Sequence, residues 1–331
     1  MTTWMLNTDV LRLIIRQAAD ESSSHSPIEA FYQRSSTLRR LSLVNSQWRP
    51  LAQLELESFV VLTSRNFSVV SRAIEGSSMA KRVRTIIDRR GMTRVQKSLD
   101  DVLVRCEGLR ELDCNNSTFS LNALARSKHL HTLSLANTTL IGDTQHLSLP
   151  FHLKRVTLSG ACGIRKADWR ALKEAGRLSV EHLELVGRLT SSPAPLLDTM
   201  SAWLPSVQSL EMADLLLPTP FVPLLHHCRR LERLAVRLSD FPSTLAVLAC
   251  APRHLDIVAS NDVLDSWTFE DFQSNVLYAV GKEPLDRLES VKVSRAPGIY
   301  DSCGSRETAL LVKIGKRKAK GGLAGGKRVK L

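Results

Sequence analysis

The stretch from Leu109 to Leu135 reads LRELDCNNSTFSLNALARSKHLHTLSL and contains two copies of one short pattern. Apolar residues stand at the first, fourth and sixth positions of each copy, over residues 109–114 and 130–135. The alternation of apolar and polar residues at the end of each copy is typical of a short strand with one buried face. The residues between the copies can return the chain to the start of the next strand. The stretch therefore predicts neighbouring parallel strands joined by return segments.

The same pattern, with some substitution, recurs along most of the chain. Its central positions are 86, 112, 133, 156, 183, 210, 234, 255 and 291. Steps of about 20–29 residues are typical of leucine-rich repeats, in which each unit buries its apolar face against its neighbours. The final step is longer and implies an inserted helix near Trp267–Val280. Residues 63–300 are therefore predicted to form an irregular leucine-rich-repeat solenoid of parallel strands and helices, and the fold class is α/β.

Two further features of the predicted solenoid are its lack of the consensus asparagine and the placement of its cysteines. The asparagine of the consensus repeat, three residues after the last strand leucine, is absent, and its positions are held by Ser117, Thr138, Ala161, Arg188 and Leu215. The six cysteines include no C-x-x-C pair, so they indicate neither a disulfide framework nor a metal site. Because Cys106 and Cys228 each precede a strand pattern by three residues, we expect them to be small apolar plugs.

The N-terminal 62 residues lack the repeat and predict a three-helix module. Thr8 is a candidate cap for the first helix. The polar segment at residues 20–27 predicts a loop, and Ser36 or Thr37 is a candidate cap for the second helix. Pro50 suits the first position of a third helix. A module of this size buries little surface alone, so it needs a neighbour, either the repeats or a partner protein.

Residues 4–62 contain an apolar first helix and, further on, the stretch Leu-Ser-Leu-Val at 41–44 followed by Trp-Arg at 48–49. This combination resembles an F-box. The opening of that family's motif is matched by Leu6, Asp9, Val10, Leu11 and Ile14. Its second half is matched by Leu38, Leu41, Ser42, Leu43, Val44, Trp48 and Arg49. Two features depart from the family pattern, since Asn7 replaces the usual proline and the first interhelical loop is longer. An F-box followed by leucine-rich repeats is itself a known arrangement.

The resemblance implies the substrate-recognition subunit of a cullin-type (SCF) ubiquitin ligase. The module would dock the ligase's adaptor protein, the repeats would hold a client protein, and the chain itself would not be an enzyme. The residues expected in adaptor binding or in the module's own core are Leu6, Val10, Leu11, Ile14, Leu43, Val44 and Trp48. The alternative is a nuclear leucine-rich scaffold without a ligase link, whose helices cap the end of the solenoid. It predicts that Leu6, Val10 and Ile14 are wholly buried.

The formal charge of +12 is concentrated near the C-terminus. Residues 301–331 are predicted to be a disordered basic tail, and its clusters KRKAK and KRVKL look like a nuclear import signal read by an importin. The signal residues are Lys316, Arg317, Lys318, Lys327, Arg328 and Lys330. We therefore expect the protein in the nucleus, the cytoplasm or both. No run of apolar residues is long enough for a membrane-spanning helix.

Other groups of residues give weaker indications of a binding or catalytic site. The basic segment 81–97 could attract an acidic client or phosphates, but a solvated edge of the first repeat is favoured, and it holds no aromatic residues to stack on bases. We therefore predict no specific nucleic-acid partner. His226, His227 and Cys228 are adjacent and have no second cluster at ligand spacing. Since no G-x-S-x-G, P-loop or dinucleotide motif occurs, we expect no catalytic residue, metal or cofactor. An enzyme hidden in the repeats is the weakest alternative.

Overall fold

The computed structural model of the chain describes residues 8–20, 27–76, 78–91, 98–144, 146–187, 193–213, 224, 227–238, 252–259, 288–295 and 310–313. The chain divides into two compact units. The first comprises Met1–Val207 and Asp214–Arg229, and the second comprises Gln208–Ala213 and Arg230–Leu331. Leu6, the inserted helix predicted at 267–280 and the import signal at 316–330 lie outside the described residues.

The N-terminal module of the first unit consists of helices α1 (Thr8–Asp20), α2 (Pro27–Leu41) and α3 (Trp48–Glu57), which contact one another. Ile15, Leu38 and Ala52, one from each helix, form its buried centre. Four partly buried apolar residues pack against this centre: Leu41, Trp48, Leu51 and Leu56. The module thus has a small hydrophobic core of its own.

A buried carboxylate also joins the three helices. Glu55 in α3 lies 3.2 Å from Nε of Arg12 in α1 and 3.5 Å from a guanidinium nitrogen of Arg34 in α2. Because the Glu55 side chain is almost fully removed from water, two cations offset the cost of burying its charge. The ion pairs therefore add a polar link among the three helices to their shared apolar core.

Two predicted helix starts were wrong. The second helix begins at Pro27, not at Ser36 or Thr37, because proline suits the first turn, where the N–H groups have no intrahelical partner. The third helix begins at Trp48, so Pro50 is its third residue and not its first. Asn45 explains this earlier start, since its Oδ1 accepts hydrogen bonds at 2.9 Å from the backbone N–H groups of Gln47 and Trp48.

The rest of the first unit is built on parallel strands. In spatial order these are β1 (Phe59–Leu62), β2 (Thr85–Asp88), β3 (Glu111–Asn115), β5 (Thr132–Ala136), β7 (Arg155–Ser159) and β8 (His182–Val186). Strands β4 (Thr118–Ser120) and β6 (Thr139–Ile141) form a second, two-stranded parallel sheet. The strand stack therefore includes Phe59–Leu62, within the segment predicted to be entirely helical.

The register of the strands places the repeat's apolar residues side by side. Ile86 is paired with Leu112, Leu112 with Leu133, Leu133 with Val156, and Val156 with Leu183. All five side chains are buried. Each strand thus contributes one layer to a continuous apolar interior, which no single repeat could form alone. The predicted parallel, in-register repeat is confirmed for this unit.

Return segments of the first unit connect the successive strands. They include helices α4 (Phe67–Gly76), α5 (Asp100–Leu103), α6 (Lys166–Gly176) and α7 (Pro193–Trp203), and short 3₁₀ turns at Ser78–Lys81 and Leu121–Leu124. The α7 helix ends before Pro205, as predicted. Cys106 and Cys228 are buried at turns that lead toward strands, which agrees with their predicted role as apolar plugs.

The second unit repeats the parallel arrangement over β9 (Ser209–Ala213), β10 (Arg233–Leu238), β11 (His254–Ala259) and β12 (Ser290–Arg295). Leu210, Leu234, Leu255 and Val291 occupy one register row and are buried. A last strand, β13 (Leu310–Lys313), pairs with β12 in the antiparallel direction. This strand falls within the segment 301–331 that was predicted to be a disordered tail.

A left-handed turn follows four successive strands of the first unit. It is occupied by Asn116, Asn137, Gly160 and Gly187, whose φ angles are 56°, 47°, 66° and 71°. Glycine, and to a lesser degree asparagine, tolerates this conformation. The N–H groups of three of these residues bond to the last strand residue of the next repeat, at 2.8–2.9 Å. The turn thus extends the hydrogen bonding between repeats beyond the strands.

Gly160 offers a sharp test of this turn. A Cβ atom at Gly160 would overlap Oδ1 of Asn137, whereas at Gly187 the nearest atom would lie 3.8 Å away. Gly160→Ala is therefore expected to lower the free energy of unfolding by about 1–3 kcal/mol, and more than Gly187→Ala, which shares the backbone conformation without the overlap. Urea denaturation of both variants measures this difference, and equal losses would assign the whole cost to backbone conformation.

Buried hydroxyl groups occupy the place of the missing consensus asparagine. Ser117 donates to Oδ2 of Asp88 at 2.5 Å, and Thr138 Oγ1 lies 3.3 Å from the carbonyl oxygen of Cys114 in the preceding repeat. In the next repeat the Cys162 thiol, one residue later, lies 3.5 Å from the carbonyl oxygen of Leu135. These small side chains therefore bond to the preceding repeat, Ser117 to a carboxylate and Thr138 and Cys162 to backbone carbonyls. The stack does not require asparagine there.

Candidate interaction surfaces

Helix α1 carries two adjacent apolar stripes. Leu11 and Ile15 are four residues apart, so they share one face, and both are buried. Val10 and Ile14 form a second stripe with the same spacing, but 42% and 41% of their surface is exposed. Leu13 is also exposed. Since Leu11 and Ile15 already face the interior, the second stripe is apolar surface that the described part of the module leaves open.

The turn between α2 and α3 exposes two further apolar side chains. Leu43 is 85% exposed and Val44 is 58% exposed. Backbone N–H groups of both residues bond to carbonyl oxygens of the last turn of α2, at 3.0 Å and 3.1 Å, so the turn is ordered by its own hydrogen bonds. Single exposed apolar residues are common, whereas a group of them in one small module indicates an interaction surface.

The predicted adaptor-binding residues thus divide into two groups. Val10, Ile14, Leu43 and Val44 are exposed and available to a partner. Leu11 is buried, and Trp48 packs against the module core, so these two build the module. The sequence pattern did not single out exposed Leu13 and Tyr32, since the family motif does not include them.

The helical module meets the strand stack mainly through its last helix. Helix α3 contacts β1, which follows it directly, whereas α1 and α2 have at most marginal contact with the described strands. Two side-chain contacts strengthen this junction. Arg34 lies over the ring of Phe59 at 5.9 Å, and Arg82 lies 2.7 Å from Glu57. Val10 and Ile14 are therefore not buried against the first repeat.

The open face of the first unit's sheet is polar and lined by small side chains near its centre. Ser134 in β5 and Thr157 in β7 are neighbours in one register row and are half-buried. At one end of this row Asp113 forms an ion pair with Arg89, and at the other Glu184 accepts a hydrogen bond from Thr157 at 3.0 Å. Such a surface can hydrogen-bond a protein partner without a bulky side chain blocking its approach.

The basic segment at residues 81–97, described as far as residue 91, is less solvated than predicted. Arg90 is buried, stacks on the ring of Phe67 at 4.2 Å and forms an ion pair with buried Asp88 at 2.9 Å. Arg89 and Arg82 also pair with carboxylates. The prediction of a solvated edge is therefore wrong for Arg90, whose charge is neutralised inside the fold.

Three buried thiols of the first unit, those of Cys106, Cys114 and Cys162, are poor nucleophiles. Burial raises the pKa of Cys106 to about 12, and it also raises the pKa of Cys114 and Cys162. These thiols are therefore neutral near pH 7, whereas the thiolate is the reactive form.

Within the described residues no three His, Cys, Asp or Glu side chains group closely enough to hold a metal ion, and His227 is exposed while Cys228 is buried.

One shallow depression lies beside the strand ends of the first unit. It has a volume of about 510 Å³ and is lined by residues 139–142 and 162–165. It is wide open to solvent, and Cys162 at its wall is the neutral thiol described above. The depression therefore lacks convergent reactive groups.

None of the described helices is both long and apolar enough to cross a membrane.

Comparison with known proteins gives little similarity. No protein-family model matches this chain, and no curated protein is similar in sequence. Among solved structures, one chain of the crystal structure of a TLR13–ssRNA13 complex is similar, with a TM-score of 0.35 and 13% sequence identity. The similarity covers 55% of this chain and 29% of that chain.

Proposed function

We propose that this chain is a protein-interaction subunit and, more specifically, the substrate-recognition subunit of a cullin-type (SCF) ubiquitin ligase. The helical module would dock the adaptor protein, and the strand stack would bind the client. The proposal assigns no chemistry to the chain itself, because ubiquitin transfer would belong to the partner enzymes. It is supported chiefly by the open apolar stripe of α1, which lies beside a core that is already complete.

The energetic argument concerns Val10 and Ile14. Burying a fully exposed apolar side chain of this size contributes about 1.5–3 kcal/mol, and Val10 and Ile14, of which 42% and 41% is exposed, can each contribute roughly two-fifths of that. A module that exposes these residues together with Leu43 and Val44 can gain several kcal/mol by docking. The ordered turn that carries Leu43 and Val44 would lose little conformational entropy on binding.

A second candidate is a leucine-rich scaffold whose helical module serves only to cap the repeats. The contacts of Arg34 with Phe59 and of Arg82 with Glu57 support it, because they tie the module to β1 and to the turn before β2. The exposure of Val10 and Ile14 argues against it, since a dedicated cap would use its apolar stripe to cover the end of the stack.

The adaptor-docking proposal is tested with Val10→Glu/Ile14→Glu in the full chain. Introducing two charges into a buried apolar contact is expected to reduce adaptor binding more than 10-fold, measured by quantitative pulldown with purified adaptor. The stability of the variant is expected to stay close to wild type, because both residues are exposed.

The matched control is Val69→Glu/Val104→Glu, which places the same two charges at exposed apolar positions outside the module. It should bind the adaptor as wild type does. Leu43→Asp/Val44→Asp provides an independent second variant, with loss of adaptor binding again expected. Absence of adaptor binding by the wild type, or equal binding by all variants, would overturn the proposal and favour the scaffold.

A further inference from the structure

The edge of the first unit where the strands begin carries a row of basic residues. The backbone N–H of His131 donates to the carbonyl oxygen of Arg110, and that of Lys154 donates to the carbonyl oxygen of His131, both at 2.9 Å. Arg110, His131 and Lys154 therefore occupy equivalent positions in three neighbouring repeats and are joined by backbone hydrogen bonds. Their backbones are spaced by the distance between strands, about 4.8 Å.

Two more cations adjoin this row. Lys128 lies in the turn that leads into β5, and Arg155 is the first residue of β7. Arg110, Lys128, Lys154 and Arg155 are exposed, and His131 is half-buried. These five residues, called the basic edge below, belong to three successive repeats. The charges of the two arginines and two lysines are therefore displayed together by the repeat geometry and not by proximity in sequence.

Carboxylates neutralise the basic edge only in part. Glu181 lies 3.5 Å from Lys154, but both side chains are exposed, so this ion pair is weak in water. Glu111, beside Arg110 in the chain, is turned toward β2, where it accepts a hydrogen bond from Thr85 at 3.4 Å. The basic edge therefore keeps a positive field that a negatively charged chain can use.

The opposite edge, where the strands end, lacks this charge. Its equivalent positions after four strands are Asn116, Asn137, Gly160 and Gly187, which are all uncharged. The two edges of the same strand stack thus differ in charge: the residues before β3, β5 and β7 are basic, and those directly after them are uncharged. The left-handed turn selects glycine and asparagine at the strand ends, whereas Arg110, His131 and Lys154 are not held to that conformation. The positive charge at the strand-start edge is therefore not imposed by the backbone, and it suits a ligand of negative charge.

The ligand chemistry favours a protein over a nucleic acid. Proteins that bind single-stranded nucleic acid combine cations with exposed aromatic rings on which bases stack. Among the large exposed apolar side chains of the described residues, Tyr32 is the sole aromatic, and it lies in α2, outside the basic edge. An acidic peptide needs only the cations and hydrogen-bonding groups, and the adjacent sheet face supplies the latter through Ser134 and Thr157.

We infer that the basic edge recognises an acidic segment of the client protein, which lies in an extended conformation across β3, β5 and β7. This inference rests on the proposed function, because it names the class of client that the strand stack would hold. Long flexible arginine and lysine side chains can match carboxylates on every second residue of an extended segment. Binding of this kind is weakened by salt.

The test uses the full chain and a fluorescent dodecapeptide of alternating Glu and Ser. Fluorescence anisotropy at low salt compares wild type with Arg110→Glu/Arg155→Glu. The control, Lys166→Glu/Arg170→Glu, makes the same change in net charge at two exposed residues of α6. We expect the first variant to bind the peptide about 10-fold more weakly, about 1.4 kcal/mol, and the control to bind as wild type does.

A second measurement locates the peptide independently of the basic tail. Carbodiimide joins carboxylates directly to nearby amines, and peptide mapping then identifies the linked lysines. We expect links at Lys128 and Lys154. Links confined to lysines of residues 313–331, or equal weakening by the two variants, would overturn the inference. Tighter binding of a uridine dodecanucleotide that is lost in Arg110→Glu/Arg155→Glu would also overturn it, in favour of a nucleic-acid site.

The inference and the proposed function fail in different ways. The charge-reversed variant retains Val10, Ile14, Leu43 and Val44, so it should recover as much adaptor as wild type. Loss of peptide binding at the basic edge with adaptor binding intact supports the inference. Absence of peptide binding by wild type, with adaptor binding intact, overturns the inference alone.

Discussion

Replacing Asp88 with alanine is expected to lower the free energy of unfolding by about 3–5 kcal/mol, as for other broken buried ion pairs. The carboxylate of Asp88 accepts hydrogen bonds from Nε of Arg90 at 2.9 Å and from Ser117 at 2.5 Å. Its removal leaves a guanidinium in the interior without its carboxylate counterpart. The cost therefore comes mainly from the buried charge left behind and not from the lost contact itself.

Equilibrium urea unfolding followed by circular dichroism measures this loss. Glu75→Ala is the control, because the pair of Glu75 with Arg105 is equally close, at 3.0 Å, but both side chains are exposed. It should cost less than about 1 kcal/mol. The double variant Asp88→Leu/Arg90→Met removes both charges and should be more stable than Asp88→Ala. A loss below 1 kcal/mol for Asp88→Ala would contradict the assigned role of the pair.

Trp203→Ala is expected to destabilise the protein by about 3–5 kcal/mol, the usual cost of truncating a fully buried large aromatic residue. The indole of Trp203 packs α7 against α6, and its Nε1 donates to the carbonyl oxygen of Lys173 at 3.2 Å. It occupies the space beside Gly176, where a Cβ atom would overlap the ring. The variant therefore loses a large buried area and opens a cavity between two return helices.

A double-mutant cycle isolates this packing. Gly176→Ala should destabilise the wild type because the added methyl group meets the indole, yet it should cost less in the Trp203→Ala background, where that overlap is gone. The nearby Cγ2 of Val180, at 2.8 Å from the same Cβ position, leaves part of the cost in both backgrounds. We expect a coupling of about 0.5–3 kcal/mol from thermal or urea unfolding. Additive effects would show that the two residues do not share this space.

Periodic spacing was sufficient to locate the strands. Each of the nine central positions taken from the leucine pattern, from Ile86 to Val291, lies in a strand, and within each unit the neighbouring strands pair in register. A residue pattern of period two repeated at near-constant intervals has few alternative folds, because each repeat must bury its apolar face against the next. The strand at Phe59–Leu62 was missed because its sequence FVVL is uniformly apolar and Glu57 stands where the pattern has its first leucine.

The helical module was harder to predict. Its three helices were expected, but the start of α2 was placed at Ser36 or Thr37 because polar residues in the middle of that helix resemble caps. Intrahelical hydrogen bonds and packing of Leu38 against α1 and α3 outweigh that local preference. Local signals of this size, about 1 kcal/mol, are readily overridden by tertiary contacts.

By itself the sequence determined where nine of the strands lie and that neighbouring repeats stack in parallel, since repeat length and leucine spacing act locally and recur along the chain. It did not locate β1, β4, β6 or the antiparallel β13, which lack the repeated leucine pattern. The tertiary structure alone decided which of two equivalent apolar stripes of α1 is buried, because Val10 and Ile14 have the same spacing and polarity as Leu11 and Ile15. It also decided that Arg90 is internal while Arg110 and Lys154 are displayed on one edge. Burial depends on what packs against a residue from distant parts of the chain, and that information is absent from any local pattern.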